Sequence, residues 1–258
     1  MQHFRTCTTA VVVLALSIAG CGSHPGAGLA HAEQVAASCP EDGAQVASFI
    51  ASDESGSRRG STAKAAQQAV IRSVAERTAI CGGHLRVVLF AGSVLGVPVY
   101  DSELHLQGAT KNARLRKATK VTDEVVEQIN ESLTRAADDL PDGATDIVGQ
   151  LNLFSEYRSQ FLARGRYQLE LTVLTDGIQT AQQSLDDPSL TAERAEELAS
   201  SFTVPELPGS DIRLIGIGRQ ANGELLPTPY VDALRAFHVA ICTRTKAHCG
   251  VVTDAAGA

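Results

Sequence analysis

"GAQVASFIASDESGS", residues 43–57, joins two different kinds of sequence. Its first part, through Ala51, is predominantly apolar. Its end, Asp53-Glu54-Ser55-Gly56-Ser57, sets oxygen-bearing side chains at alternate positions with a glycine between the two serines. The polar end leads directly into "RRGSTAKAAQQAVIRSV", in which Val70, Ile71, Val74, Ala75, Thr78 and Ala79 continue one helical face. A mainly apolar run suits a strand covered on both sides, as in a parallel sheet. The stretch therefore reads as a buried strand, a polar turn at its carboxyl end, and a crossover helix.

Three further runs have the same character: "HLRVVLFAG" (84–92), "YQLELTVLT" (167–175) and "DIRLIGIG" (211–218). Helical stripes separate them. Residues 122–140 carry Val125, Ile129, Leu133, Ala136 and Ala137, with Asp123 and Glu124 expected in the first turn. Ile147, Leu151, Phe154 and Phe161 mark a helix after the "LPDGAT" break, and Ala195, Leu198 and Phe202 a shorter one. Thr228-Pro229 starts a last helix with Val231, Leu234, Phe237, His238 and Ile241 inward. Pro98 excludes a central strand, so Val97–Leu106 is expected as an edge strand or hairpin arm. The order β-α-β-β-α-α-β-α-β-α predicts an α/β fold. We expect a doubly wound, mostly parallel sheet with one antiparallel edge strand and helices on both faces.

The amino terminus reads as an export signal: Arg5, then "TTAVVVLALSIAG", an apolar stretch too short for a comfortable membrane span. Leu16-Ser17-Ile18-Ala19-Gly20-Cys21 is similar to the lipobox of bacterial lipoproteins, which implies a signal over 1–20 and a lipidated Cys21. The alternative is a plain signal cut near Ala30–Ala32. Residues 22–38 are rich in Gly, Ala and Ser, so 21–38 is expected to be a flexible tether and 39–258 the folded domain. The expected location is the extracytoplasmic face of a cell membrane. Of six cysteines, Cys39, Cys81, Cys242 and Cys249 remain for the exported domain, where an even number reads as disulfides. The βαβ reading puts Cys39 and Cys81 at one end of the sheet, favouring Cys39–Cys81 and Cys242–Cys249. Zinc on Cys242, His248 and Cys249 would lack a fourth ligand. A net charge of −7 argues against nucleic acid as a partner.

In open α/β sheets ligands collect beyond the carboxyl ends of the strands. Asp53, Ser55 and Ser57 belong there, as do Thr175, Asp176 and Gly177, while Gly143-Ala144-Thr145 enters a helix between them. Together these pieces resemble the von Willebrand factor A family over roughly residues 44 to 246: a D-x-S-x-S motif, a Thr in a Gly-containing loop, and a T-D-G after a strand. The resemblance implies a metal-ion-dependent adhesion site. Ser55, Ser57 and Thr145 would contact the cation, and Asp53 and Asp176 would hold it directly or through water. Hydroxyls, carboxylates and waters are hard ligands suited to Mg²⁺ or Mn²⁺. With only two carboxylates the cation stays electrophilic and open to a partner's Asp or Glu. Each residue also has a plainer reading: Ser55 and Ser57 as caps of the helix near Thr62, Thr145 as an N-cap, Asp176-Gly177 as a turn.

The expected function is non-enzymatic, cation-dependent binding of a protein ligand by a surface-anchored lipoprotein. The alternatives are a phosphohydrolase of haloacid-dehalogenase type using Asp53, and a metal-free scaffold subunit of an envelope complex. The phosphohydrolase needs D-x-D, and Ser55 stands at its second acid. No Gly-x-Ser-x-Gly, Walker or Gly-x-Gly-x-x-Gly motif supports another enzyme class. Lys111, Arg114, Arg116, Lys117 and Lys120 form a basic run that fits an acidic partner, lipid headgroups or a solvated face. His238, on the apolar side of its helix, reads as a core or boundary residue.

Overall fold

A computed structural model describes residues 25–55, 61–91, 96–137 and 144–254. The four apolar runs become the four central strands of a six-stranded sheet. They are β1 (Gln45–Asp53), β2 (Gly83–Phe90), β4 (Tyr167–Leu174) and β5 (Ser210–Ile215), flanked by β3 (Val97–Leu104) and β6 (His248–Val252). The order is β3-β2-β1-β4-β5-β6, parallel throughout except for β3, which runs antiparallel to β2. The expected architecture is therefore present. Pro98 sits on the edge strand beside a bulge between Val87 and Val88, where a missing N–H is tolerated.

Both faces are covered, which is why β1 is almost wholly buried. Ala47, Phe49 and Ala51 point into a core shared with α5 (Ile147–Leu162), α6 (Ala192–Ser200) and α7 (Thr228–Thr245). Ile50 points the other way, into a core shared with α2 (Ser61–Cys81) and α4 (Ala118–Ala137). Aromatic side chains gather on the first face, where Phe49 packs edge to face on Phe154 and Tyr157, and Tyr157 lies tilted against Phe161.

The segment expected as a tether over 21–38 is mostly helical where it is described. Residues 25–36 form α1 (Pro25–Ala36), whose Ala32 is fully buried and whose Leu29 and Ala36 pack on the α2–α4 core. Alanine has the highest helix propensity, and Leu29, Ala32 and Ala36, at i, i+3 and i+7, fall on one face of the helix. A composition without an obvious period thus still made a packed helix. Two short elements also escaped the sequence: α3 (Lys111–Leu115), capped by the Thr110 side chain, and edge strand β6. Helix α4 starts at Ala118, so Asp123 and Glu124 fall beyond its first turn.

Both expected disulfides form. Cys39–Cys81 spans 5.3 Å between Cα atoms and ties the start of β1 to the end of α2. Cys242–Cys249 spans 6.0 Å and ties α7 to β6. This pairing leaves no thiolates for zinc. No helix among the described residues is long and apolar enough to cross a membrane.

Candidate functional site

The strand order turns outward from the β1–β4 pair, and the crevice beyond such a turning point is where open α/β sheets bind ligands. The register pairs Ser52 with Leu174, so Asp53 and the Thr175-Asp176 pair leave the sheet side by side. Asp53 is fully buried. Its Oδ1 accepts the Ser55 backbone N–H at 2.9 Å, and its Oδ2 accepts the Thr175 hydroxyl at 2.8 Å. Thr175 Oγ1 in turn accepts the Gly177 N–H at 3.1 Å. Asp176 is also buried; its Oδ1 accepts the Ile178 N–H at 2.9 Å, whereas its Oδ2 has no hydrogen-bond partner.

Two buried carboxylates side by side are costly unless a cation accompanies them. Burial, then the charge of Asp176, pushes the Asp53 carboxyl up from 3.8 to about 6, against the hydrogen bonds from Ser55 and Thr175 that favour its charged form. Among the described residues no Lys, Arg or His forms an ion pair with either group. The described residues thus hold negative charge in place without a paired counter-charge.

The loop after β4 is held from three sides. Gly218 N–H donates to Asp176 O at 2.7 Å, and Thr175 N–H to Ile215 O at 3.1 Å. The buried His238 of α7 donates from Nε2 to Gly177 O at 2.9 Å. Burial lowers the His238 pKa to about 4, so the ring is neutral and its donor is directed at that carbonyl. Gly177 has φ +86°, and a Cβ there would come within 2.9 Å of Ile217 Cδ1, so only glycine makes this turn without strain.

Thr145 joins the same loop through its backbone. Its N–H donates to Thr180 Oγ1 at 2.6 Å, and its carbonyl accepts the N–H groups of Thr180 and Ala181. The plainer reading of Thr145 as an N-cap fails, because Asp146 caps α5 by accepting Gly149 N–H at 2.9 Å. Gln179 Oε1 accepts the next free donors, Ile147 and Val148 N–H, at 2.6 and 3.1 Å. The capping requirement of α5 is therefore met without the buried Thr145 hydroxyl.

The structure thus brings together Asp53, Ser55 and Asp176, with Thr145 anchored to the Asp176 loop. Ser57, Gly56 and Gly143 lie outside the described residues, as does Cys21. Glu54 is buried and lines a cleft with Lys64, Gln67 and Asn130 between α2 and α4, away from the Asp176 loop. Sequence reasoning missed the positioning work of Thr175, Gln179, Thr180 and His238. For His238 the only signal was a polar residue on an apolar stripe. The donor set of two carboxylates plus hydroxyls fits a hard divalent cation, and the bare Asp176 Oδ2 is the position at which it is incomplete. No three His, Cys, Asp or Glu side chains gather among the described residues, so hydroxyl or water oxygens would have to complete any coordination shell.

Neither a family model nor a curated protein matches the chain. Twelve chains of solved structures do match. One is a manganese-loaded Plasmodium vivax TRAP protein, 14% identical, with a TM-score of 0.39 over 80% of this chain and 74% of that one. A likeness this distant assigns neither ligand nor activity.

Proposed function

We propose that this chain is a binding protein of the von Willebrand factor A type. In this reading Asp53, Ser55, Ser57, Thr145 and Asp176 hold Mg²⁺ or Mn²⁺, and the cation receives a carboxylate from a protein ligand. The observation that carries it is the buried, hydrogen-bond-free Asp176 Oδ2 beside a second buried carboxylate, Asp53. Thr175 orients Asp53, the Ile178 N–H orients Asp176, and the Thr180 pairing sets the height of Thr145. A divalent ion at this place would supply an electrophilic coordination position to an acidic ligand. The reading includes lipidation of Cys21 and an extracytoplasmic location, which the lipobox-like sequence supports.

A phosphohydrolase is disfavoured because its D-x-D motif needs a second acid two residues after the nucleophile, and Ser55 stands at that position. The test is a Mn²⁺ titration of the purified chain followed by electron paramagnetic resonance. One ion should bind, and Asp53→Asn or Asp176→Asn should weaken binding by at least tenfold while circular dichroism stays unchanged. Folded wild type that takes up no Mn²⁺ at millimolar concentration would establish the metal-free scaffold instead. Phosphatase turnover lost in Asp53→Asn would establish the enzyme. A pull-down from envelope extract with Mg²⁺ against EDTA then identifies the ligand.

A further inference from the structure

We infer that the opposite end of the sheet carries a docking face for an anionic membrane surface. The face is formed by Lys111, Arg114, Arg116, Lys117 and Lys120. These five cations fall within ten residues, and no Asp or Glu occurs between Glu103 and Asp123, on a chain whose net charge is −7. All five are exposed, because Leu115 and Ala118 take the inward positions of α3 and α4 and turn the rest of the segment outward. Among the described residues only Lys120 has a carboxylate within ion-pair distance, Glu124 at 3.7 Å, and that pair is solvent-exposed. An uncompensated cluster of one sign on an oppositely charged protein is a local field aimed at something anionic.

Its position selects the partner. β3 ends at Leu104 opposite Gly83, the first residue of β2, so the segment that follows starts at the strand-starting end. There Lys111, Arg114 and His105 line a cleft of about 350 Å³ with Cys39 and Cys81. Helix α1 lies against this region: a Cβ on Gly28 would sit 4.0 Å from Thr119 Oγ1, and Leu29 packs into the core that holds Leu115 and Ala118. The start of α1 is therefore near Thr119, beside Lys120, while its last residue, Ala36, lines the cleft with Lys111 and Arg114. Cys21 precedes Pro25 by four residues, a reach of at most about 14 Å. An acyl chain on Cys21 would hold the cluster close to headgroups, near the range over which charges act at physiological salt, about 8 Å. A basic patch beside a lipid anchor provides the second attachment signal that stable anchoring needs.

The two ends of the sheet then have different neighbours. β1 spans nine residues, about 30 Å, so the Asp53–Asp176 crevice faces away from the bilayer. This orientation rests on the cation-site reading given above, whereas the membrane contact does not.

The test uses the processed chain from Gly22, without lipid, sedimented with vesicles of 30% phosphatidylglycerol in phosphatidylcholine. It should bind these and not pure phosphatidylcholine vesicles, and 0.5 M NaCl should release it. Each cation reversed should weaken binding roughly five-fold, so Lys111→Glu/Arg114→Glu should lose about 25-fold or more. Equal binding to neutral vesicles, or unchanged binding of a folded double variant, would overturn the inference. So would retention on an acidic protein or a polyanion with none on vesicles. Mn²⁺ titration of the same variants reports the other end of the sheet, and labelled palmitate on Cys21→Ser reports the anchor. Failure of either leaves the vesicle result to be read on its own.

Discussion

Strand β4 has a buried carboxylate near its start and another just past its end, and the two are treated differently. Glu170 Oε1 accepts from Arg77 Nε at 3.2 Å and from Arg77 Nη2 at 2.9 Å, and Arg77 Nη1 continues to the Ser38 carbonyl at 2.8 Å. Asp176 has no cation among the described residues; its electrostatic neighbour is a second carboxylate, Asp53. Each group leaves one oxygen without a hydrogen bond, Glu170 Oε2 and Asp176 Oδ2, so polarity alone does not separate them. Charge does. At the strand-starting end the chain supplies its own counter-ion and staples the region with both disulfides. At the carboxyl end it sets two buried carboxylates side by side, with no basic side chain paired to them among the described residues. Burying an uncompensated ion costs several kcal/mol, so a fold keeps such a pair where it is used.

That contrast can be broken first at Glu170. Arg77→Met should destabilise the protein by about 3 kcal/mol in urea unfolding, because it strands a buried carboxylate. A loss below about 1 kcal/mol would mean that the pair is only a surface contact and that the two ends do not differ as described.

The next largest effect concerns His238, whose folded pKa of about 4 lies below its ordinary 6.5. Its neutral form is built into the fold, so its contribution is present above pH 6.5 and is lost as pH falls toward 4. Over that window the wild type should lose about 2 kcal/mol that His238→Gln does not lose. Urea curves at pH 7 and pH 4.5 for both proteins decide this. Parallel losses would show that the ring does not pin the Gly177 turn.

The smallest effect is a gain. In EDTA at pH 7.5, Asp176→Asn should stabilise the fold by about 1 kcal/mol by removing carboxylate repulsion, and it should abolish stabilisation by Mn²⁺. Asp53, with its folded pKa raised to about 6, favours the metal-free fold most below pH 3.8, and that contribution fades as pH rises through 6. Cation binding must run the other way. Apparent Mn²⁺ affinity should fall as pH drops below about 6, by up to tenfold per unit. Affinity that is flat from pH 7 to 5 would place the ion elsewhere.

Much of this was readable from residue order. The four mainly apolar runs required a sheet covered on both faces, and Pro98 demoted its strand to an edge. Cysteine positions within a βαβ unit favoured, among three possible pairings, the one that the structure shows. The elements that were missed share a cause: α1, α3 and β6 are short or rich in small residues, so their local signal is weak and neighbouring packing decides them. Ala32 is core only because α2 and α4 lie against it. Glu170, inside an apolar run, gave no hint that its partner would be Arg77, 93 residues earlier.

The sequence by itself determined which residues are inside the sheet and which motifs stand at its carboxyl edge, and it favoured one pairing of the cysteines. Those follow from periodicity and chain connectivity, which are local and additive. Only the tertiary structure decided which oxygens are satisfied and which charge has a counter-ion. Thr175 serves Asp53, Gln179 relieves Thr145 of capping, His238 fixes Gly177, and Asp176 Oδ2 is left bare. Hydrogen bonds and ion pairs are directional and act over a few ångströms, so they depend on which distant segments the fold makes adjacent.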